Sequence, residues 1–182
     1  NKVFFDLEWN TGFLDGNSFD EIIEIGAVKT DEEYRQIDGF RRLIRPVIYR
    51  KMNPYIQKIL AITMKDLQGE EPLAAVAKVF FDWCGDCDTL IAWSGNDFGV
   101  LEKNLAHIGM KIPEQLVRYD VQMAYAYRTE NSIRNYALKT AVEAMELPEP
   151  EGQEYHDAYC DAQFTAAIGR ALTERYGPLP AV

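Results

Sequence analysis

The spacing of apolar positions changes partway along the chain. "KVFFDLEW" (2–9), "EIIEIGAVKT" (21–30) and "YRQIDGFRRLIRP" (34–46) carry short blocks or alternations of apolar residues, which is the pattern of strands. Between them lie Gly12, Asp15, Gly16, Asn17, Asp31 and Glu32, which mark turns. Three strands with turn-rich joins predict an antiparallel meander. Past Pro46 the period becomes helical, first in a short "NPYIQKILA" (53–61) and then in an amphipathic "PLAAVAKVFFDWCG" (72–85). A buried strand "TLIAW" (89–93), a helix over 96–110, a short strand "QLVRYDV" (115–121) and helices over 132–147 and 156–177 complete the reading. A meander followed by alternating strands and helices predicts an α/β fold, a mixed five-stranded sheet with helices on its faces.

The first strand breaks its own pattern. Successive side chains of a strand point to opposite faces, so Asp6 and Glu8 share one face while Phe5 and Leu7 share the other. At about 4 Å and an effective dielectric of about 20, two like charges repel by roughly 4 kcal/mol. Either this face lies at a sheet edge in water, or a divalent cation offsets the repulsion.

Composition narrows the setting. The chain has 182 residues, 47% hydrophobic and 12% aromatic, with no repeats or linkers, which suits one domain over 1–182. It begins at Asn1 rather than Met, so the natural protein can extend beyond these residues. There is neither an apolar run long enough to span a membrane nor a signal-peptide pattern, and a soluble cytoplasmic protein with no membrane partner is expected. Three cysteines argue against a secreted disulfide framework. Cys84 and Cys87 form a C-x-x-C, but it ends a helical pattern instead of opening one, and no second Cys/His pair completes a zinc set. The net charge of −10 excludes nonspecific coating of nucleic acid, though not an enzyme touching a few phosphates. One basic island, Arg41, Arg42, Arg45, Arg50, Lys51 and Lys58, has no acid within it and is either a solvated loop or a guide for a polyanion.

Two further acids sit at helix starts. Asp97 in "WSGNDFGVL" follows the fourth strand, where an Asp ordinarily caps the helix. Asp161 in "HDAYCDAQF" opens the last helix among small neighbours that allow another surface to come close. His156 precedes it by five residues, about 140° round a helix, so the two would not share a helix face, whereas a His in the entering loop could lean over a metal held by Asp161.

The ordered set, "FFDLEW" with Asp6 and Glu8, "AWSGNDFGVL" with Asp97, and "HDAYCDA" with His156 and Asp161, resembles the DEDDh 3′-to-5′ exonucleases, the ribonuclease T and proofreading-exonuclease group of the ribonuclease-H-like superfamily. "EIIEIGAV", "YDVQ" around Asp120 and "NYALKTAVEAMEL" are softer resemblances, and together the likeness spans nearly the whole chain. It implies a ribonuclease-H-like fold and a metal-dependent hydrolase that shortens single-stranded RNA or DNA from its 3′ end, releasing 5′-mononucleotides. It also implies the roles. Asp6, Glu8, Asp97 and Asp161 would hold two Mg²⁺ or Mn²⁺ ions, since oxygen ligands select hard cations, and His156 would be the general base. Trp9 and Asn10 stand where many members have a Thr-Thr-Gly type turn, and are candidates for touching the nucleic acid. The Trp9 indole would stack on a base or pack in the core, the second being favoured. Two other functions stay open: a regulatory or binding protein of the same fold without significant nuclease activity, and a phosphodiesterase for very short oligonucleotides. The motifs hold phosphates and metals, so they do not choose between RNA and DNA.

Overall fold

Alternation on the first strand organises the molecule. In the computed structural model, which describes residues 1–149, 152 and 154–180, β1 (Lys2–Leu14) sends Val3, Phe5 and Leu7 to one face of a sheet and Phe4 to the other. It pairs antiparallel with β2 (Asn17–Thr30), which pairs antiparallel with β3 (Gln36–Leu43). On its other side β1 runs parallel to β4 (Thr89–Ala92), and β4 to β5 (Val117–Asp120), giving the order β3-β2-β1-β4-β5. The mixed five-stranded sheet is the one expected.

Helices cover both faces. Phe5 and its neighbours pack against α3 (Leu73–Cys84) and α4 (Gly95–His107), through Val76, Phe80, Phe98 and Leu101. Phe4, Val28 and Ile91 pack against α5 (Val121–Glu130), α6 (Leu138–Ala144) and α7 (Ala158–Tyr176). Two short helices, α1 (Pro54–Ile59) and α2 (Met64–Leu67), follow β3 and close a small apolar cluster of Ile23, Leu60 and Leu67.

Several boundaries differ from the expected ones. β1 and β2 run on into a long hairpin, which the turn residues Gly12 and Asn17 had interrupted in the sequence reading. α2 and α5 were not foreseen; α5 begins where Asp120 Oδ1 accepts the Met123 N–H at 2.8 Å, ending β5 and capping the helix in one residue. The helix expected over 132–147 begins only at Leu138. Ahead of it, the Tyr136 carbonyl accepts from Trp93 Nε1 at 3.1 Å and Gln122 Nε2 at 2.7 Å, tertiary bonds that compete with a helical ladder. The last helix begins at Ala158, and His156 lies before it with φ of 64°.

Candidate metal and catalytic site

The face of β1 that carries Phe4 also carries Asp6 and Glu8, and α7 is brought onto it by a missing side chain. Gly26 of β2 is the direct partner of Asp6, and a Cβ there would meet Ala158 C and Tyr159 N at 2.2 Å. Only glycine admits the first turn of α7 at this distance, and that turn holds Asp161. α4 supplies Asp97 from its own first turn, where Ser94 Oγ donates to Asp97 Oδ2 at 3.2 Å. The start of α4 is fixed in turn by Asp120, whose Oδ2 accepts the Gly95 N–H at 2.8 Å.

Four carboxylates therefore converge, all buried. Desolvation raises the Asp6 carboxyl well above the usual range, with Asp97, Asp161, Glu8 and Glu24 adding repulsion in that order. Burial, then Asp161 and Glu24, push Glu8 up to about 9. Burial also takes Asp161 to about 7 against the opposing His156 N–H, and Asp97 to about 6 against its bonds with Ser94. Groups this costly to ionise without a counter-charge are characteristic of functional sites.

Single ligand atoms of Glu8, His156 and Asp161 lie within 4.8 Å of one another. Asp161 Oδ2 accepts the His156 main-chain N–H at 3.1 Å, while its Oδ1 is buried with no hydrogen-bond partner among the described residues. An unsatisfied carboxylate oxygen in a pocket of carboxylates, beside one imidazole, fits a hard divalent cation. His156 itself is exposed and in the left-handed region, a conformation that marks functional loops.

The two residues beyond Glu8 serve the framework in this structure. Trp9 is half-buried against the Phe5 core. Asn10 is fully buried; its Nδ2 donates to the Lys51 carbonyl at 3.0 Å and its Oδ1 accepts the Asn53 N–H at 2.8 Å. The basic island is partly spent: Arg41 pairs with Glu24 and Asp157, and Arg45 Nε donates to the Glu70 carbonyl at 3.1 Å. Sequence reasoning missed Glu24 and Asp157, and gave Asp120 only as part of a soft motif and Arg41 only as part of the basic island. Asp120 and Asp157 left a signal, an Asp immediately before a helical run; Glu24 left none beyond its strand, and nothing in the island marked Arg41 as a partner of Asp157.

The profile of the RNase T exonuclease family matches residues 3–168, and the chain belongs to that family. It is 29% identical over 169 residues to a DNA polymerase III PolC-type of Clostridium perfringens, covering 91% of this chain and 11% of that protein. To the PolC-type polymerase of Caldanaerobacter subterraneus it is 26% identical over 174 residues, 95% of this chain and 12% of that one. The chain thus spans about a tenth of the length of these relatives. Among solved structures, the nuclease domain of 3′hExo, a DEDDh family member bound to rAMP, superposes with a TM-score of 0.85 at 17% identity, covering 99% of this chain and 94% of that one. E. coli Exonuclease I in complex with a dA16 oligonucleotide gives 0.71 at 17% identity over 97% of this chain and 42% of that one. The fold is that of the ribonuclease-H-like exonucleases.

Proposed function

We propose that this exonuclease domain is a metal-dependent 3′-to-5′ exonuclease that hydrolyses single-stranded RNA or DNA to 5′-mononucleotides. The observation that carries the reading is the clustering of Glu8, His156 and Asp161, with Asp6 and Asp97 buried close enough to share their repulsion and one carboxylate oxygen left without a partner among the described residues. Asp6, Glu8, Asp97 and Asp161 are the residues that would hold Mg²⁺ or Mn²⁺. Such ions, when bound, polarise a phosphoryl oxygen and ease ionisation of an attacking water. His156, exposed and tied to Asp161 through its main chain, is the residue that would take a proton from an attacking water, which its ring nitrogen near Glu8 and Asp161 supports. Asp120 and Ser94 orient Asp97, and Gly26 sets the approach of Asp161. Similar structures that contain rAMP or a dA16 oligonucleotide support nucleic acid as the substrate class.

The test is digestion of 5′-labelled single-stranded oligonucleotides by purified protein with Mn²⁺, alongside circular substrates of the same composition. A ladder shortening from the 3′ end is expected, with circles spared and His156→Ala slower by about 10² to 10⁴ in turnover. Cleavage of circles would overturn the polarity. No release of mononucleotides from RNA or DNA would overturn the activity.

A further inference from the structure

Arg41 belongs to β3, two strands away from β1, and its connections end at the catalytic loop. Its Nε donates to Glu24 Oε1 at 3.0 Å and its Nη2 to Asp157 Oδ2 at 2.5 Å. Glu24 is 1% exposed on β2, the strand between Arg41 and Asp6, and gives the guanidinium a fixed base. Asp157 directly follows His156 and caps α7, its Oδ1 accepting the Cys160 N–H at 3.0 Å. Both carboxylate oxygens of Asp157 are therefore engaged, one by the helix it starts and one by the sheet through Arg41.

Register explains why this is the point of attachment. Asp6 pairs with Gly26, and Gly26 pairs with Arg41, so the three lie in one row across the sheet on the same face. The start of α7 lands on Gly26, in the middle of that row. On one side it meets Asp6 and the carboxylates; on the other it meets Arg41.

Resting on the exonuclease reading above, we propose that Arg41 is a positioning residue for His156, acting through Asp157. His156 is exposed and has a left-handed backbone, so packing does little to fix its ring. Its location depends on the residues at either side: the His156 N–H bound to Asp161, and Asp157 held by Arg41. A planar guanidinium engaged at two nitrogens fixes direction as well as distance. The Arg41–Asp157 pair is partly exposed and contributes little to global stability, whereas the pair with buried Glu24 supports the fold; Asp157→Asn breaks the first and leaves the second intact, which separates the loop from folding.

The experiment compares wild type, Arg41→Ala, Arg41→Lys, Asp157→Asn and the Arg41→Ala/Asp157→Asn double variant. Asn keeps the helix cap and removes the charge. With Mn²⁺ and a single-stranded oligonucleotide, each of Arg41→Ala and Asp157→Asn should lower kcat about tenfold or more with KM little changed, as misorientation of a catalytic group predicts. The double variant should be no worse than the poorer single one, and Arg41→Lys should recover part of the loss. The chain has only two histidines, His107 and His156, so the His156 ring resonances of the metal-free protein can be assigned by one substitution. They should move toward free-peptide positions and sharpen in Arg41→Ala and in Asp157→Asn alike. Unchanged kcat and unchanged His156 resonances in Arg41→Ala would overturn the proposal, as would losses that multiply in the double variant. Restoration of Arg41→Ala by a second change, Glu24→Gln, would also overturn it, by showing that Arg41 acts on the charge of Glu24. An inactive wild type would refute the exonuclease reading, while the resonance comparison would still test whether Arg41 positions His156 through Asp157.

Discussion

Two acidic regions on one face of the sheet have opposite fates. Glu8 pairs with Glu24, and past a bulge that leaves Ile23 unpaired, Asn10 pairs with Glu21, so all four side chains lie on the face that carries Asp6. Glu21 is 4% exposed and fully served: its Oε2 accepts the Val47 and Ile48 N–H groups at 2.8 Å each, and its Oε1 accepts that of Tyr49 at 2.9 Å. With Asn10 it anchors the loop after β3 to the hairpin. One register step away, Asp6, Glu8, Asp97 and Asp161 face one another with too few donors, and burial drives their carboxyls upward. Buried carboxylates alone do not mark a site. The difference lies in the donors: three main-chain N–H groups make Glu21 a structural anchor, whereas their scarcity leaves the Asp6 cluster with charge that the proposed cations would offset.

Substituting one acid in each region should separate the two roles. The largest effect expected is from Asp6→Asn, nearly isosteric: hydrolysis is abolished, the metal-free Tm is unchanged or raised, and most of the metal-induced rise in Tm disappears. At a hundredfold excess over Kd, one bound ion contributes about 2.7 kcal/mol to the wild type. Equal metal-induced shifts in wild type and variant would place Asp6 with the structural acids. Next comes Glu21→Ala, which strands three N–H groups and should cost about 3 kcal/mol, a fall of roughly 6 to 12 °C, with the metal-induced increment intact. A metal-free Tm within two or so degrees of wild type, measured by thermal unfolding, would erase the contrast.

The smallest effect is the pH dependence. Glu8 moves from its ordinary 4.5 to about 9 and Asp161 from 3.8 to about 7 on folding. The metal-free native state then keeps protons that the unfolded chain has released, so the contribution of these two groups to stability is fully present below about 4 and declines as pH rises through this window, levelling once Glu8 ionises at about 9. Cations bind the ionised form, so the Tm increment from Mg²⁺ should grow over the same range. Unfolding followed from pH 5 to pH 8, with chelator and with Mg²⁺, checks both trends; Glu8→Gln should flatten them. An increment independent of pH would show that protons and metal do not share these carboxylates.

Much of the candidate site could be read along the chain because its acids sit at positions with local signatures. Asp6 and Glu8 interrupt an apolar strand with period two, Asp97 and Asp161 occupy first turns of helices, and the order of the motifs carried the family resemblance. Asp120 was visible only as part of a soft motif, although its position before "VQMAYAYR" is that of a cap. Residues 132–137 read as helix because their composition permits one, but Trp93 and Gln122 hold the Tyr136 carbonyl from outside the segment. No local pattern announces a bond made across the fold.

What the sequence determined by itself was the alternation of β1, the switch of period after Pro46, and the acids and the histidine that the chemistry requires. These follow from short-range geometry, because the side-chain periods of 2 and 3.6 are properties of the backbone alone. Tertiary structure decided which buried acid became an anchor and which was left to the proposed metal site. Glu21, Glu24 and Glu8 are the same residue type on one sheet face, and only the loop brought to the first, the arginine brought to the second and the helix landing on Gly26 beside the third distinguish them. Hydrogen-bond satisfaction and repulsion depend on separations of a few ångströms between residues far apart in the chain, and those separations exist only once the sheet and α7 have packed.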